Sequence, residues 1–225
     1  MGSTLSNVAI DIESPTDSPS SGVIPITLPE SSSAENGVSI EYAKDPNKQW
    51  YVLRATYGRE RKAYNHIIAH GSIAYLPIRK KRIIKDGKEE TFEQPLVANL
   101  LFIYATEDEV YEFVRGHHRL HYLNYYYNHL KKDERGYDKK MVITDYEMNN
   151  FIRVTKADNE NIQIVTEEQC HFKSGDLVLV KEGKFAGVTG KVARVLGQQR
   201  VIVKMEGVCC VATAYIPKSF LTFIN

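Results

Sequence analysis

The sequence has little cysteine, no long apolar run and almost no net charge. Three cysteines among 225 residues, two of them adjacent at Cys209 and Cys210, cannot form a disulfide framework, so a reducing cytoplasm is expected. No apolar run approaches the roughly 18 residues that span a bilayer, which argues against a membrane protein. The first residues have neither a basic nor an apolar signal region, so no secretory signal is expected.

Motifs for catalysis are also missing. There is no phosphate-binding P-loop, no GxSxG motif and no paired-carboxylate arrangement. His66 and His70 have helical spacing, but the residue after the first is Ile, where a metalloprotease motif has Glu. Three histidines at 117, 118 and 121 have no Cys or carboxylate at ligand spacing. We therefore expect no catalytic residue, no metal, no cofactor and no enzyme activity.

The near-neutral charge is an average of two unlike segments. The chain has 29 Lys and Arg against 28 Asp and Glu, which gives a formal net charge of +1. Residues 1–49 contain seven acids and two bases, whereas residues 50–225 contain 27 bases and 21 acids. A surface that neutralises phosphates throughout is therefore not expected, although a local basic region is.

Composition divides the chain into four segments. Residues 1–47 are acidic and rich in Ser and Pro, which predicts a disordered tail. Residues 48–155 predict an α+β domain, residues 156–167 a polar linker, and residues 168–225 a small all-β barrel. Seven valines between 177 and 205 disfavour helix, so this barrel is expected to be stable.

Hydrophobic spacing predicts the order β-α-β-β-α-β-α in the α+β domain, a ferredoxin-like sandwich. Asp86-Gly87 predicts a hairpin turn, Thr106 an N-cap, and Thr144 with Glu147 a capping box. The predicted strands lie at 50–56, 72–77, on either side of the hairpin turn, 97–104 and 121–127, with barrel strands at 177–180, 191–195, 201–205 and 209–212.

The most specific local pattern lies in the predicted barrel. Gly175 and Asp176 turn the chain into its first strand, and Gly183 permits a positive φ beside Lys184. Phe185 can fill the barrel. Two further glycines, Gly187 and Gly190, allow a tight reversal into the next strand. This pattern resembles a KOW motif in an SH3-like barrel.

The upstream half resembles the amino-terminal domain of the NusG superfamily. Residues 50–53 with Gly58 and Glu60 are similar to its opening strand and helix, and residues 95–103 to its central strand, although Ala98 and Leu100 replace the usual Pro and Tyr. Two segments, 145–152 and 213–217, together with the acidic leader resemble the UpxY branch, the RfaH-like antiterminators of Bacteroides capsular polysaccharide operons.

The resemblance implies a cytoplasmic transcription antitermination or elongation factor. Such a factor binds the clamp helices of the largest RNA polymerase subunit, lies near nascent RNA or non-template DNA, and binds a second protein, ribosomal or regulatory, through its KOW barrel. By alignment, the polymerase-binding patch comprises Arg54, Val97, Asn99 and Leu100.

A second expected surface faces nucleic acid. Residues 79–88 hold six bases against one acid, so the predicted hairpin is a projecting basic finger; the alternative is a solvated edge kept soluble by charge. The expected nucleic-acid-facing residues are Arg79, Lys80, Lys81, Arg82 and Lys85 of the hairpin and, as the resemblance implies, Arg59 and Lys62.

Other classes remain as alternatives. An RNA-recognition motif would need two or three aromatics on its third strand, whereas residues 97–104 are mainly aliphatic. A general NusG-type elongation factor and a KOW-barrel protein that binds RNA or the ribosome stay open, although the latter is usually more basic. An RNA-modifying enzyme would need a cofactor loop that is not visible.

Overall fold

The protein is described by a computed structural model that covers residues 44–85, 87–157 and 161–224, without the side chains of residues 171–175. The elements are β1 (Gln49–Ala55), α1 (Glu60–Ala69), β2 (Ile73–Tyr75), β3 (Ile78–Lys85), β4 (Lys88–Pro95), β5 (Leu100–Ala105), α2 (Glu107–Val114), β6 (Leu123–Tyr125), β7 (Tyr127–Lys132), β8 (Asp138–Lys140), β9 (Val142–Ile143), α3 (Asp145–Ala157), β10 (Gln163–Val165), β11 (His171–Val180), β12 (Thr189–Val195), β13 (Gln198–Met205), β14 (Cys209–Ala212) and β15 (Leu221–Phe223). The predicted α+β class is confirmed. Most of the predicted tail, residues 1–43, lies outside the described residues.

The first half forms an antiparallel sheet, here called the N-terminal sheet. Its order is β2-β5-β1-β6, and β9 pairs with β1 at the end opposite to β6. Every residue of β5 is buried, as expected for a central apolar strand covered on both faces. The alternation along β1 sends Tyr51 and Leu53 to one face and Trp50 and Val52 to the other.

The two faces of this sheet have different covers. Helices α1 and α2 close one face with a core that includes Leu53, Ile67, Leu101 and Phe113. Helix α3 closes the other face. Both α2 and α3 begin with a capping box, Thr106 with Glu109 and Thr144 with Glu147, which confirms the predicted helix starts.

The second half forms a six-stranded antiparallel sheet, here called the C-terminal sheet, in the order β10-β14-β13-β12-β11-β15. Residues 177–205 are in strands and turns, as the valine content predicts. Part of the predicted linker differs: α3 continues to Ala157, and β10 pairs with β14. Ile162 and Val165 are buried, which explains why this otherwise polar segment joins the sheet.

Helix α3 lies between the two sheets and joins them through one core. Phe151 and Met148 are fully buried among Trp50 and Phe102 of the N-terminal sheet and Val203 of the C-terminal sheet. Polar contacts fix the same junction. The Asn150 side chain accepts a hydrogen bond from the Thr189 backbone N–H at 2.9 Å and donates one to the Thr189 hydroxyl at 2.8 Å.

Three local predictions need correction. The strand expected at 97–104 begins only at Leu100, because Asn99 turns the chain with φ +63°. The tyrosine-rich strand expected at 121–127 divides at Tyr126 into β6 and β7, which belong to different sheets. The β7–β8 hairpin was not expected, although Gly136 with φ +83° in its turn follows Asp133 and offered a signal.

Candidate functional site

The four residues of the expected patch lie at one end of the N-terminal sheet. Arg54 and Leu100 are directly opposite each other on β1 and β5, so their side chains share a face. Arg54 is exposed, whereas Leu100 is buried; Val97 and Asn99 are half-buried. The accessible surface here is therefore a rim of Arg54, Val97 and Asn99 above a buried Leu100, which we call the sheet-end rim.

A buried carboxylate holds this rim in place. Glu60, the first residue of α1, is 3% exposed and accepts a hydrogen bond from the Asn99 backbone N–H. The Asn99 carbonyl in turn accepts from the Ala55 N–H at 2.8 Å. Because both backbone groups of Asn99 are satisfied, its left-handed conformation is fixed by the surrounding fold. In the sequence, Glu60 stands out only as part of the family resemblance.

Arg59 lies beside the rim, against two tyrosine rings that sequence analysis missed. Its guanidinium carbon is 5.0 Å from the centroid of the Tyr122 ring and 5.7 Å from that of Tyr57. Tyr57 is 86% exposed and has φ +62°, an unusual combination for a bulky residue. The adjoining Gly58 was the only sequence signal for this turn.

The hairpin of β3 and β4 carries acids opposite its bases. Arg79, Lys80, Lys81, Arg82 and Lys85 lie along β3, and all but the half-buried Arg79 are exposed. The partner strand contributes acids: Arg82 pairs with Glu89 at 3.5 Å, and Lys80 approaches Glu93 to 3.9 Å. Asp86 of the predicted turn lies outside the described residues. The hairpin is therefore less basic than residues 79–88 alone indicate.

The hairpin is tied to the start of α1. Arg61 pairs with Glu93 at 3.0 Å, and Ile78 packs against the core beneath α1 and α2. Arg59 and the exposed Lys62 therefore belong to the same end of the domain as the hairpin base. Arg61 has no signal in the sequence, since an ion pair between two separate elements leaves no local pattern.

The residues of the KOW pattern lie at the C-terminal sheet and at its junction with α3. Gly175 and Asp176 do not precede the first strand as predicted: they lie within β11, where the pairing with β12 shifts register between residues 172 and 177. Gly183 has φ +83° in the following turn beside the exposed Lys184, as predicted. Phe185 is buried in the core shared by the two sheets.

Two glycines of this pattern permit close approaches. At Gly187, a Cβ would lie 1.6 Å from Nη1 of Arg153, an α3 residue that donates to the Ala186 carbonyl at 3.2 Å. At Gly190, a Cβ would lie 2.5 Å from the Ile202 carbonyl oxygen. The absence of a Cβ at Gly187 thus permits contact with α3, and its absence at Gly190 permits the close approach of β12 and β13.

Three histidines form a cluster that the sequence does not show. The rings of His70 and His118 are 4.2 Å apart, and those of His66 and His70 are 4.3 Å apart, all beside Phe113. Within residues 44–85, 87–157 and 161–224, no group of three or more His, Cys, Asp or Glu side chains is placed to hold a metal ion. In the same ranges, no helix is both long and apolar enough to cross a membrane.

Burial makes the three cysteines poor nucleophiles. It raises the pKa of the Cys209 thiol to about 12 and that of Cys210 to about 11, and it also raises the pKa of Cys170. These thiols are structural, and none belongs to the rim or the hairpin.

These features define a two-part α+β protein: a helix-covered antiparallel sheet with an accessible rim and a charged hairpin, followed by a glycine-turned antiparallel sheet. Residues 48–152 match the family model described as "Transcription termination factor nusG", and residues 174–204 match the model of the KOW motif. The first half of the chain is thus similar to NusG, and part of the second half is similar to a KOW motif. Members of the NusG family are transcription elongation and termination factors that bind RNA polymerase and are not enzymes. No match was found among curated proteins.

Proposed function

We propose that this protein is an operon-specific antitermination and elongation factor that binds RNA polymerase and suppresses pausing and termination, with a polysaccharide biosynthesis operon as its target. The observation that carries the proposal is the succession of a NusG match and a KOW match on one chain. The ferredoxin-like and SH3-like interpretations of the two halves are part of the proposal, and the antiparallel orders of the two sheets support them. Such a factor would act in the cytoplasm.

The sheet-end rim is the proposed contact to the clamp helices of the largest polymerase subunit. Its accessible part combines the aliphatic side chain of Val97 with the charge of Arg54 and the backbone turn at Asn99. Leu100 contributes from beneath, by supporting the rim. The factor would suppress pausing if it binds the closed clamp more tightly than the open clamp. The ratio of the two affinities then sets how far the population shifts toward the closed clamp.

The C-terminal sheet is the proposed binding surface for a second protein, ribosomal or regulatory. It presents side chains that are large, apolar and exposed, such as Ile164 on β10 and Leu196 in the β12–β13 turn. Leu196 and Gly197 form the two-residue β12–β13 turn with φ +52° and +78°, and this turn leaves the Leu196 side chain 82% exposed.

Assignment to the UpxY branch is part of this proposal and rests on the sequence resemblance of two segments, 145–152 and 213–217, together with the acidic leader. Residues 145–152 open α3 and include Asn150, which binds Thr189 across the junction. In segment 213–217, Thr213 is fully buried, and its hydroxyl accepts from the Val201 N–H at 3.0 Å. The first segment therefore stabilises the junction between α3 and the C-terminal sheet, and the second stabilises the sheet itself.

Genome-wide occupancy of the tagged full-length protein, measured with that of polymerase, tests this proposal. We expect co-immunoprecipitation with polymerase and occupancy confined to one operon, where deleting the factor lowers distal but not proximal transcript. Uniform occupancy would instead indicate a general elongation factor. Failure to recover the protein with polymerase would contradict polymerase binding altogether.

A further inference from the structure

The β3–β4 hairpin has two chemically different faces. In a two-stranded ribbon, alternate residues of each strand point to opposite faces, and directly opposed residues share a face. The register of the hairpin pairs Lys80 with Glu93 and Lys81 with Phe92. The side chains therefore divide into two sets, which the sequence along β3 alone does not separate.

One set is charge-balanced and is here called the paired face. It holds two bases and two acids, and they contact each other: Lys80 with Glu93, and Arg82 with Glu89. Glu93 also pairs with Arg61 of α1. At the base of the hairpin this face is directed toward α1, since Ile78, which has the same parity on β3, packs against the core beneath that helix.

The other set is here called the basic face. It contains four bases against one acid, Glu90, and the bases are Arg79, Lys81, Lys85 and Lys88. Among the described residues, none of these four bases has a carboxylate oxygen within 4.0 Å. Their charges are therefore available to a ligand, whereas those of the paired face are largely neutralised within the hairpin.

The basic face also carries the hairpin's aromatic ring. Phe92 is 56% exposed in the middle of β4, directly opposite Lys81 and two pairs away from Arg79 along the ribbon. Ile83, 37% exposed, lies on the same face. An exposed aromatic ring among Lys and Arg side chains is a combination that binds single-stranded nucleic acid. The ring stacks on a nucleobase, while the positively charged side chains contact the phosphates.

We propose that the basic face binds single-stranded nucleic acid, with Phe92 as its stacking residue and Arg79, Lys81, Lys85 and Lys88 as its phosphate contacts. Duplex is a poor ligand because its bases are already stacked and cannot reach the ring. Lys80 and Arg82, which the sequence groups with the nucleic-acid-facing residues, instead stabilise the hairpin. This inference rests on the proposed function, in which an elongation complex supplies the strand as DNA or RNA.

The test measures fluorescence anisotropy of labelled oligonucleotides of about 12 nucleotides, within the usual site sizes of such surfaces, with the full-length protein. Single-stranded DNA, single-stranded RNA and duplex DNA are the three ligands. The key variants are Lys81→Gln/Lys85→Gln on the basic face and Lys80→Gln/Arg82→Gln on the paired face. Both remove two positive charges from the same strand, so they are matched in net charge.

We expect Lys81→Gln/Lys85→Gln to weaken single-strand binding at least about tenfold and to reduce the salt slope by about 1.4, the value for two lost phosphate contacts. Lys80→Gln/Arg82→Gln should remain within about twofold. Phe92→Leu should lose about tenfold, and Phe92→Tyr should retain affinity, because only the tyrosine keeps a stacking ring. A preference for DNA or for RNA would identify the source of the strand.

Equal losses in the two charge variants would overturn the proposal, as would stronger duplex binding or an unaffected Phe92→Leu variant. Thermal unfolding of each variant shows whether the hairpin and domain remain folded. Polymerase binding, measured in parallel without added oligonucleotide, separates the two hypotheses. If the wild-type protein binds polymerase but no oligonucleotide, only the hairpin proposal is contradicted. If the wild-type protein does not bind polymerase, the proposed function is contradicted.

Discussion

The two faces of the N-terminal sheet are both buried, but in different ways. Under α1 and α2, the core closes with residues of the first half of the chain alone. Under α3, the core continues into the C-terminal sheet and includes Val180, Val201 and Val203. One face is therefore self-sufficient, and the other makes the stability of the two halves interdependent.

The largest expected effect comes from truncating one phenylalanine on each side. Phe151→Ala in the shared core and Phe113→Ala on the buried face of α2 should each lower the free energy of unfolding by about 3–5 kcal/mol. Phe151→Ala should increase amide hydrogen exchange in β13 of the C-terminal sheet more than Phe113→Ala does, because only the Phe151 ring lies in the shared core. Equal protection of β13 in the two variants would show that the two cores are not distinct.

The polar part of the junction allows a smaller test. Asn150→Ala should cost about 1–3 kcal/mol, because the Thr189 backbone N–H and hydroxyl lose a buried partner. The neighbouring Asn149→Ala, on the same helix but half-buried, serves as the control and should change stability by less than about 0.5 kcal/mol. Chemical denaturation measures both. Similar costs for the two substitutions would remove the special role assigned to Asn150.

Substituting a glycine at a close backbone contact in the C-terminal sheet should lower stability by as much as Asn150→Ala or by less. Gly190→Ala should cost about 1–3 kcal/mol, because the new Cβ meets the Ile202 carbonyl and the strands must separate. Gly136→Ala, where the space is open and only the positive φ is unfavourable, should cost about 1 kcal/mol. Thermal unfolding compares the pair, and a Gly190→Ala variant as stable as wild type would contradict the packing described.

The smallest effect concerns pH and the capping box of α2. Partial burial raises the pKa of Glu109, but hydrogen bonds from Lys48 and Thr106 outweigh this effect and hold that pKa below its usual range. A lowered folded-state pKa stabilises the fold above the unfolded pKa, and this stability is lost as the pH falls. The melting temperature of the wild type should therefore decrease more between about pH 6 and about pH 3 than that of the Glu109→Gln variant. Identical pH dependence would exclude this contribution.

The sequence predicted the elements whose signals are local. The apolar run of β5, the capping residues Thr106 and Thr144, and the helical spacing of α1 depend on neighbouring residues alone. Strand β10 was missed because its pairing with β14 depends on residues nearly fifty positions away. The division at Tyr126 was missed for the same reason, since β6 and β7 join different sheets.

The candidate site was predictable to a similar extent. Composition located the basic strand β3, but the acids that neutralise its paired face lie on β4 and become visible only with the hairpin register. Likewise, the stacking of Arg59 on Tyr122 joins residues far apart in sequence. Residue type therefore identified the charged hairpin, and three-dimensional pairing decided which of its charges are available.

Binding of purified RNA polymerase to one rim variant and to one matched control variant away from the rim tests the central claim most directly. Val97 lies on the sheet-end rim, and Val142, 38% exposed, lies on β9 at the opposite end of β1. Val97→Asp should reduce polymerase affinity at least about tenfold by placing a charge in an apolar contact, whereas Val142→Asp should bind as wild type, with both variants folded by circular dichroism. Undiminished binding by Val97→Asp, or equal losses in both variants, would contradict the rim as the polymerase contact.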